Sequence, residues 1–151
     1  MGQTEFPLET LLGHRRRQEE ARRLDLAAVE RQLVVESATL FSLREQHRLS
    51  LESIRGAQTS ARLDVDRITR ALAYVASLDK AIGAQERVVR DLEIRLDEAR
   101  ARLLAANREA KVVEKLKDVW LDEQQLVSLR HEEKIAAELA INQFNRRIGA
   151  S

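Results

Sequence analysis

The chain has 151 residues, of which 34% are charged, and its 26 Lys and Arg against 25 Asp and Glu give a formal net charge of +1. Alanine, glutamate, lysine, leucine and arginine make up a little over half of the chain, whereas aromatic residues account for 3% and proline occurs once. This composition is typical of long amphipathic helices and coiled coils, and it argues against a β-sandwich, a β-barrel or a nucleotide-binding α/β enzyme. The high apolar content and the balanced charge also argue against disorder.

The first predicted helix spans about residues 7–55. Pro7 suits its first turn, because the amide hydrogen that proline lacks would be unpaired there. A row of residues seven apart then follows, and five of its seven members are apolar, which is the spacing of a coiled-coil seam. The members of this row are Leu12, Glu19, Leu26, Leu33, Leu40, His47 and Ile54.

A turn is predicted at about residues 56–64, because Gly56 suits the end of one helix and Thr59 or Ser60 suits the N-cap of the next. The second helix, about residues 65–147, carries the strongest pattern, two heptad rows in which Gln85 is the one polar member. This pattern predicts a coiled coil. The rows are Ile68, Val75, Ile82, Val89, Leu96, Leu103, Ala110 and Ala71, Leu78, Gln85, Leu92, Ala99, Ala106, Val113.

The two helices predict an all-α fold, a long antiparallel two-helix coiled-coil hairpin with the second helix longer, in one domain covering residues 1–151. If the chain reverses near Ser60 and each residue rises about 1.5 Å, Leu8 lies opposite Lys111 or Val112. The regular seam ends there, at Val113, which favours an intrachain hairpin over a parallel dimer.

Residues 114–147 are therefore predicted to overhang the first helix. An isolated helix is marginally stable in water, and an apolar stripe on it usually has a partner. The partner is either another protein, a second copy of the chain or the N-terminal residues. The stripe consists of Leu116, Trp120, Val127, Leu129, Ile135, Leu139 and Phe144.

No group of residues predicts catalysis, a cofactor or a metal site. His14, His47 and His131 are far apart along the chain, and the absence of cysteine excludes disulfides and thiolate ligands. Carboxylates interleaved with arginines predict solvated ion pairs. We expect a protein that is not an enzyme.

The basic run from His14 to Arg17 is interrupted by nearby acidic residues, and the whole chain is nearly neutral. Proteins that bind nucleic acid usually carry an unbalanced basic face, so nucleic acid is not an expected partner. The longest charge-free stretch, residues 71–78, is far shorter than the ~20 residues that span a bilayer. Together with the lack of a signal peptide, this predicts a cytoplasmic protein without direct membrane insertion.

The charge-free stretch 71–78 also predicts an exposed apolar surface. A two-helix seam buries only a narrow stripe of each helix, so Leu72 or Tyr74 should remain partly exposed. Exposed apolar surface is typical of a binding site. The alternative is that the tip of the hairpin folds back and covers it.

Both ends of the chain carry a short motif. Residues 6–15 read Phe-Pro-Leu-Glu-Thr-Leu-Leu-Gly-His-Arg, residues 114–116 read Glu-Lys-Leu, and Glu133-Lys134 precede Glu138-Leu139-Ala140 and Phe144. In this order and at this length they resemble the flagellar export protein FliJ family. Ala137 departs from the pattern, since many members carry Asp there.

The resemblance implies a non-enzymatic antiparallel coiled coil, similar to the central stalk of rotary ATPases, in flagellar type III secretion. It implies a monomer in the cytoplasm, peripherally associated with the inner-membrane export apparatus. Its paired ends would enter the hexameric flagellar export ATPase. A stripe early in the second helix would contact the export gate protein FlhA, and the protein would help export chaperones cycle.

The resemblance also assigns residues to these two contacts, with Gln85 a departure from the family pattern. The implied gate residues are Tyr74, Leu78, Ala81 and Gln85. The implied ATPase-ring residues are Leu8, Leu11, Leu12, Arg15, Leu116, Trp120, Glu138, Leu139 and Phe144. Three alternatives remain: a structural coiled coil that self-associates through residues 114–147, the equivalent stalk of a virulence-type secretion system, and nucleic-acid binding through the basic residues from Arg15 to Arg23.

Overall fold

The computed structural model describes residues 5–59 and 64–150. It contains two helices, α1 (Glu9–Gln58) and α2 (Val65–Gly149). The prediction of an all-α hairpin with a longer second helix is confirmed. The predicted turn falls partly on residues 60–63, which lie outside the described residues.

The described ends of the two helices differ in detail from the sequence prediction. α1 continues through Gly56, whose φ is not positive, and the Thr59 hydroxyl donates to the Gly56 carbonyl at 3.0 Å. α2 is capped by Asp64, whose Oδ1 accepts from the Arg67 amide at 3.2 Å. Aspartate is among the preferred N-cap residues, because its oxygen pairs an amide that the first turn leaves free.

The contacts divide the chain into two compact units. Unit 1 contains residues 1–19 and 105–151, and unit 2 contains residues 20–104. In each unit a segment of α1 packs antiparallel to a segment of α2. Apart from Phe6, the buried side chains come from the heptad rows. The buried seam residues of unit 2 are Leu40, Ile54, Val75, Leu78, Val89, Leu92, Leu96 and Ala99.

Polar residues interrupt the seam of unit 2, and they pair across it. His47 Nε2 lies 2.8 Å from Asp79 Oδ1. Gln85 Nε2 donates to the backbone carbonyl of Glu36 at 3.0 Å and also to its carboxylate. Because the half-buried groups of His47 and Gln85 gain hydrogen-bond partners only when the helices are aligned in this way, such pairs favour one register of the two helices.

Candidate functional site

Phe6, just before α1, and the first turn of α1 pack against α2 in unit 1. Leu12 is completely buried, and Phe6 and Val113 are buried beside it, with Leu11 and Trp120 packed partly against them. The ring centroids of Phe6 and Trp120 are 5.8 Å apart and their planes are tilted by 54°, a favourable arrangement for an aromatic pair. We call these five residues the N-terminal cluster.

A tight turn brings Phe6 to this position. The Glu9 amide donates to the Phe6 carbonyl at 3.1 Å, and the Leu12 amide donates to the Leu8 carbonyl at 2.9 Å. Pro7 lies inside this turn, where its fixed φ and missing amide hydrogen are tolerated. The turn therefore places Phe6 against α2. We call residues 5–12, which α2 holds in this way, the N-terminal segment.

Polar pairs flank the N-terminal cluster and define the register of unit 1. Exposed ion pairs contribute at most about 1 kcal/mol each, so their main effect is on which residues lie opposite one another. The pairs are Glu9 Oε2 with Lys117 Nζ at 2.9 Å, Arg15 Nη1 with Glu109 Oε2 at 2.8 Å, Arg16 Nε with Glu114 Oε1 at 3.6 Å, and Glu19 Oε1 with Asn107 Nδ2 at 3.1 Å.

This register places the start of α1 opposite a later part of α2 than we expected. Leu8 was expected to face residues 111–112, but its neighbour Glu9 pairs with Lys117, and Trp120 packs on Phe6. The expectation assumed that the chain reverses direction near residue 60. In the structure α1 ends at Gln58 and α2 begins at Val65. If the midpoint of the reversal lies one residue later, the residue of α2 that faces a given residue of α1 lies two residues later.

The last part of α2 is exposed. Gln124 is its last half-buried residue, and every described residue from 125 to 150 is exposed. We call residues 125–149 the exposed end of α2. It starts later than the expected overhang at Glu114, because Lys117 and Trp120 still contact the N-terminal segment. Its large apolar side chains are 44% to 63% exposed, namely Leu126, Val127, Leu129, Ile135, Leu139, Ile141, Phe144 and Ile148.

The residues implied for ATPase-ring binding fall into two groups in unit 1. One group forms or borders the N-terminal cluster: Leu11, Leu12 and Trp120 belong to it. Leu8 lies beside it just before α1, and Arg15 lies beside it on α1. The other group is exposed on α2: Leu116, and, on the exposed end, Glu138, Leu139 and Phe144. The first group is placed to hold the N-terminal segment on α2, and the second is accessible to a partner.

The four residues implied for gate binding lie in unit 2 with unequal exposure. Tyr74 is 50% exposed, and its hydroxyl donates to Gln46 Oε1 at 3.4 Å. Leu78 is buried in the seam, and Ala81 and Gln85 are half-buried. Leu72 is also 50% exposed, so the prediction of an exposed apolar side chain in this stretch is confirmed.

Sequence reasoning missed two features of the site. It used Phe6 only as part of a motif and did not pair it with Trp120. It also treated Glu19 as a flaw in the seam, although Asn107 stands opposite it and donates to it. The signal is that polar residues of the two helices lie opposite one another, and it can be recognised only once the register is known.

No reactive groups converge in the described part of unit 1, residues 5–19 and 105–150. Among residues 5–59 and 64–150, no polar or charged residue is buried, and no group of three or more His, Asp or Glu side chains could hold a metal ion. None of the described helices combines the length and apolarity that a membrane crossing requires.

The fold and this site define a two-helix hairpin with an exposed apolar helix end. A family model described as "Flagellar FliJ protein" matches residues 4–149 of the chain. No curated protein and no solved structure matches it.

Because the family model covers nearly the whole chain, the protein belongs to the FliJ family. It is thus a component of the flagellar protein export apparatus, in a family of export components rather than of enzymes.

Proposed function

We propose that this protein is the central stalk of the flagellar export ATPase and that it links the ATPase ring to the export gate protein FlhA. In this proposal unit 1 enters the hexameric ring and unit 2 contacts the gate. The protein works in the cytoplasm at the periphery of the inner-membrane export apparatus. The observation that carries the proposal is the exposed apolar end of α2 beside a tightly packed N-terminal segment.

The exposed end of α2 supports a protein contact. Side chains such as Leu139 and Phe144 are 57% and 63% exposed, and contiguous exposed apolar surface is typical of interaction sites. Glu138 adds an exposed carboxylate beside them. The occupant is the inner surface of the ATPase ring, as family membership suggests.

A stalk of this kind needs no catalytic residue of its own. ATP hydrolysis takes place at the subunit interfaces of the ring, and a bound helix pair acts by favouring some subunit conformations over others. The nearly neutral chain suits this role, because it does not adhere strongly to any one subunit through charge.

The test of the ring contact compares ATP hydrolysis and ring assembly by the flagellar ATPase with the full chain and with a chain ending at Gln124. Ending at Gln124 removes the exposed end and keeps Lys117 and Trp120, whereas ending at Val113 would also dismantle the N-terminal cluster. We expect the full chain to promote assembly and turnover and the shortened chain to lose most of this effect.

A matched pair of point variants refines this test. Leu139→Glu changes a residue of the proposed ring contact, and Leu104→Glu makes the same change at a similarly exposed position of unit 2. We expect the first to reduce ATPase stimulation and the second to leave it unchanged. If full-length protein alters neither turnover nor assembly, or if both variants behave alike, the stalk proposal is refuted.

For the gate contact, Tyr74 is the accessible member of the implied stripe. We propose that Tyr74 touches FlhA directly and that buried Leu78 supports the helix from within the seam. Tyr74→Ala should weaken FlhA binding without changing the melting temperature. Ile94→Ala, at a residue 58% exposed on the same helix, is the control and should bind normally. Equal binding by both variants would exclude Tyr74 from the contact.

Family membership also supports a role in the cycling of export chaperones. This part of the proposal predicts that the protein retains an export chaperone in a pull-down and releases it when the chaperone's export substrate is added. Retention that is insensitive to substrate would argue against cycling.

A further inference from the structure

The middle of α1 carries a second apolar surface, on the side facing away from α2 in unit 2. Leu24 and Leu49 lie near its ends, and Val34, Val35 and Phe41 near its centre are 61% to 72% exposed. Recurrence at three and four residues places them on one face. We call this surface the outer stripe, made of Leu24, Ala27, Ala28, Arg31, Val34, Val35, Ala38, Phe41, Ser42, Glu45 and Leu49.

The outer stripe lacks charge over its central part. Between Arg31 and Arg44 the one charged residue is Glu36, and it faces α2, where Gln85 donates to it. A solvated helix face normally carries charged side chains. The central part of the outer stripe is therefore more apolar than the face of a helix that contacts only solvent, and this indicates an interface.

We propose that the outer stripe binds the outer stripe of a second copy of this chain, with the two α1 helices antiparallel about a two-fold axis near Ala38. A two-fold contact requires a surface that is complementary to itself. The outer stripe meets this requirement in size, polarity and charge.

Complementarity in size comes from the small side chains of the stripe. Ala38 would lie at the axis, where a small side chain lets two helix backbones approach closely. Antiparallel pairing then sets the bulkier Val35 of one copy near Phe41 of the other. Ser42, the small residue beside Phe41, leaves room for this contact.

Complementarity in charge comes from the two ends of the stripe. Arg31 and Glu45 lie seven residues on either side of Ala38, so antiparallel pairing brings Arg31 of one copy near Glu45 of the other. Arg31 is exposed and has no ion-pair partner in the part of the chain that the structure describes. Arg48 Nε donates to Glu45 Oε2 at 3.2 Å and lowers the pKa of Glu45, which keeps that carboxylate ionised.

The proposed contact is small. Stable specific interfaces bury at least about 1,200 Å², and one helical stripe on each copy lies toward the low end, so we expect a dissociation constant in the micromolar range or weaker. The protein would then be a monomer at the dilute concentrations of the ATPase assay and a dimer when concentrated. The outer stripe belongs to unit 2, whereas the proposed ring contact belongs to unit 1.

The test is sedimentation equilibrium of the full chain from 1 to several hundred micromolar. We expect a reversible dimer, and we expect Ala38→Glu to raise its dissociation constant at least tenfold. Ala84→Glu, at an exposed position of α2 in the same unit, should have no effect. Because the native chain has no cysteine, a single Ala38→Cys can be cross-linked by a short bismaleimide, whereas Ala84→Cys should remain monomeric.

A charge exchange tests the orientation. Arg31→Glu alone should weaken the dimer, because two carboxylates would then face each other, and adding Glu45→Arg should restore it. A monomer at every concentration would overturn the proposal. A dimer that survives Ala38→Glu, or that is lost on ending the chain at Gln124, would also overturn it by locating the contact elsewhere. The dimer and ring proposals can be tested separately, because Ala38 lies in unit 2 and the proposed ring contact lies in unit 1. Ala38→Glu should therefore lose the dimer and keep normal stimulation of the ATPase.

Discussion

Leu12 is the residue whose removal most directly tests the packing of unit 1. It is fully buried, with Phe6 and Val113 buried beside it. Truncation to Ala removes three carbon atoms, which corresponds to about 2.4 kcal/mol at ~0.8 kcal/mol per buried CH₂. A remaining cavity adds to this cost. We therefore expect Leu12→Ala to lower the free energy of unfolding by about 3 kcal/mol, within the range of ~2–5 kcal/mol for buried Leu→Ala changes.

The assay is urea unfolding followed by tryptophan fluorescence. Trp120 is the one tryptophan of the chain, and it contacts Phe6 in the N-terminal cluster, so its emission reports on unit 1. Leu8→Ala is the control, since Leu8 is 39% exposed and should cost half as much or less. Equal losses for the two variants would refute the reasoning that burial of Leu12 holds the N-terminal segment on α2.

Three further predictions concern unit 2. Gln85→Leu alone should lower the free energy of unfolding by about 1 kcal/mol, because Glu36 loses a hydrogen-bond donor, and adding Glu36→Leu should restore the lost stability. The double-mutant cycle is measured by urea unfolding, and zero coupling energy would contradict the pairing. Gly83→Ala should raise stability by about 0.5–1 kcal/mol, because nothing lies within 4 Å of the added Cβ and the φ of Gly83 is not positive; a lower melting temperature would argue against it. Glu45 has a lowered pKa because Arg48 donates a hydrogen bond to its carboxylate. This pair therefore stabilises the fold above the ordinary carboxyl pKa, and the stabilisation is lost as the pH falls through the lowered pKa. Arg48→Ala should raise the pKa of Glu45 in a carbon-detected NMR titration, and an unchanged pKa would exclude the interaction.

The fold was predictable because the heptad rows of α2 are nearly uninterrupted. Val75, Leu92 and Ala110 come from those rows, and all three are buried. The same rows placed Leu78 in the seam, and the structure buries it there. Family resemblance assigned Leu78 to a binding stripe as well, and the periodicity already indicated that its side chain would face α1.

The start of the exposed end was not predictable, because it depends on register. Periodicity repeats every seven residues and does not state which residue of α1 faces which residue of α2. The position at which the chain reverses decides this. A reversal a few residues later than expected makes Lys117 the partner of Glu9. The packing of Phe6 on Trp120 follows from the same register.

The outer stripe was missed for a different reason. Its apolar residues lie between members of the buried seam of α1, such as Leu33 and Leu40, so heptad periodicity alone does not distinguish them from the seam. Val34 and Val35 follow Leu33 directly, so their exposure becomes evident only when α2 is seen to cover the opposite side of α1.

The exposed end of α2 has a consequence for the life of the protein in the cell. A single helix of about seven turns depends on its own backbone hydrogen bonds, and such helices open readily in water. Arg130 and Lys134 on this segment are therefore early targets for trypsin-like cleavage while the segment is uncovered. A partner that encloses the segment would both order it and shield it from proteases. The lifetime of the chain in the cell would therefore increase with the time that the segment spends bound.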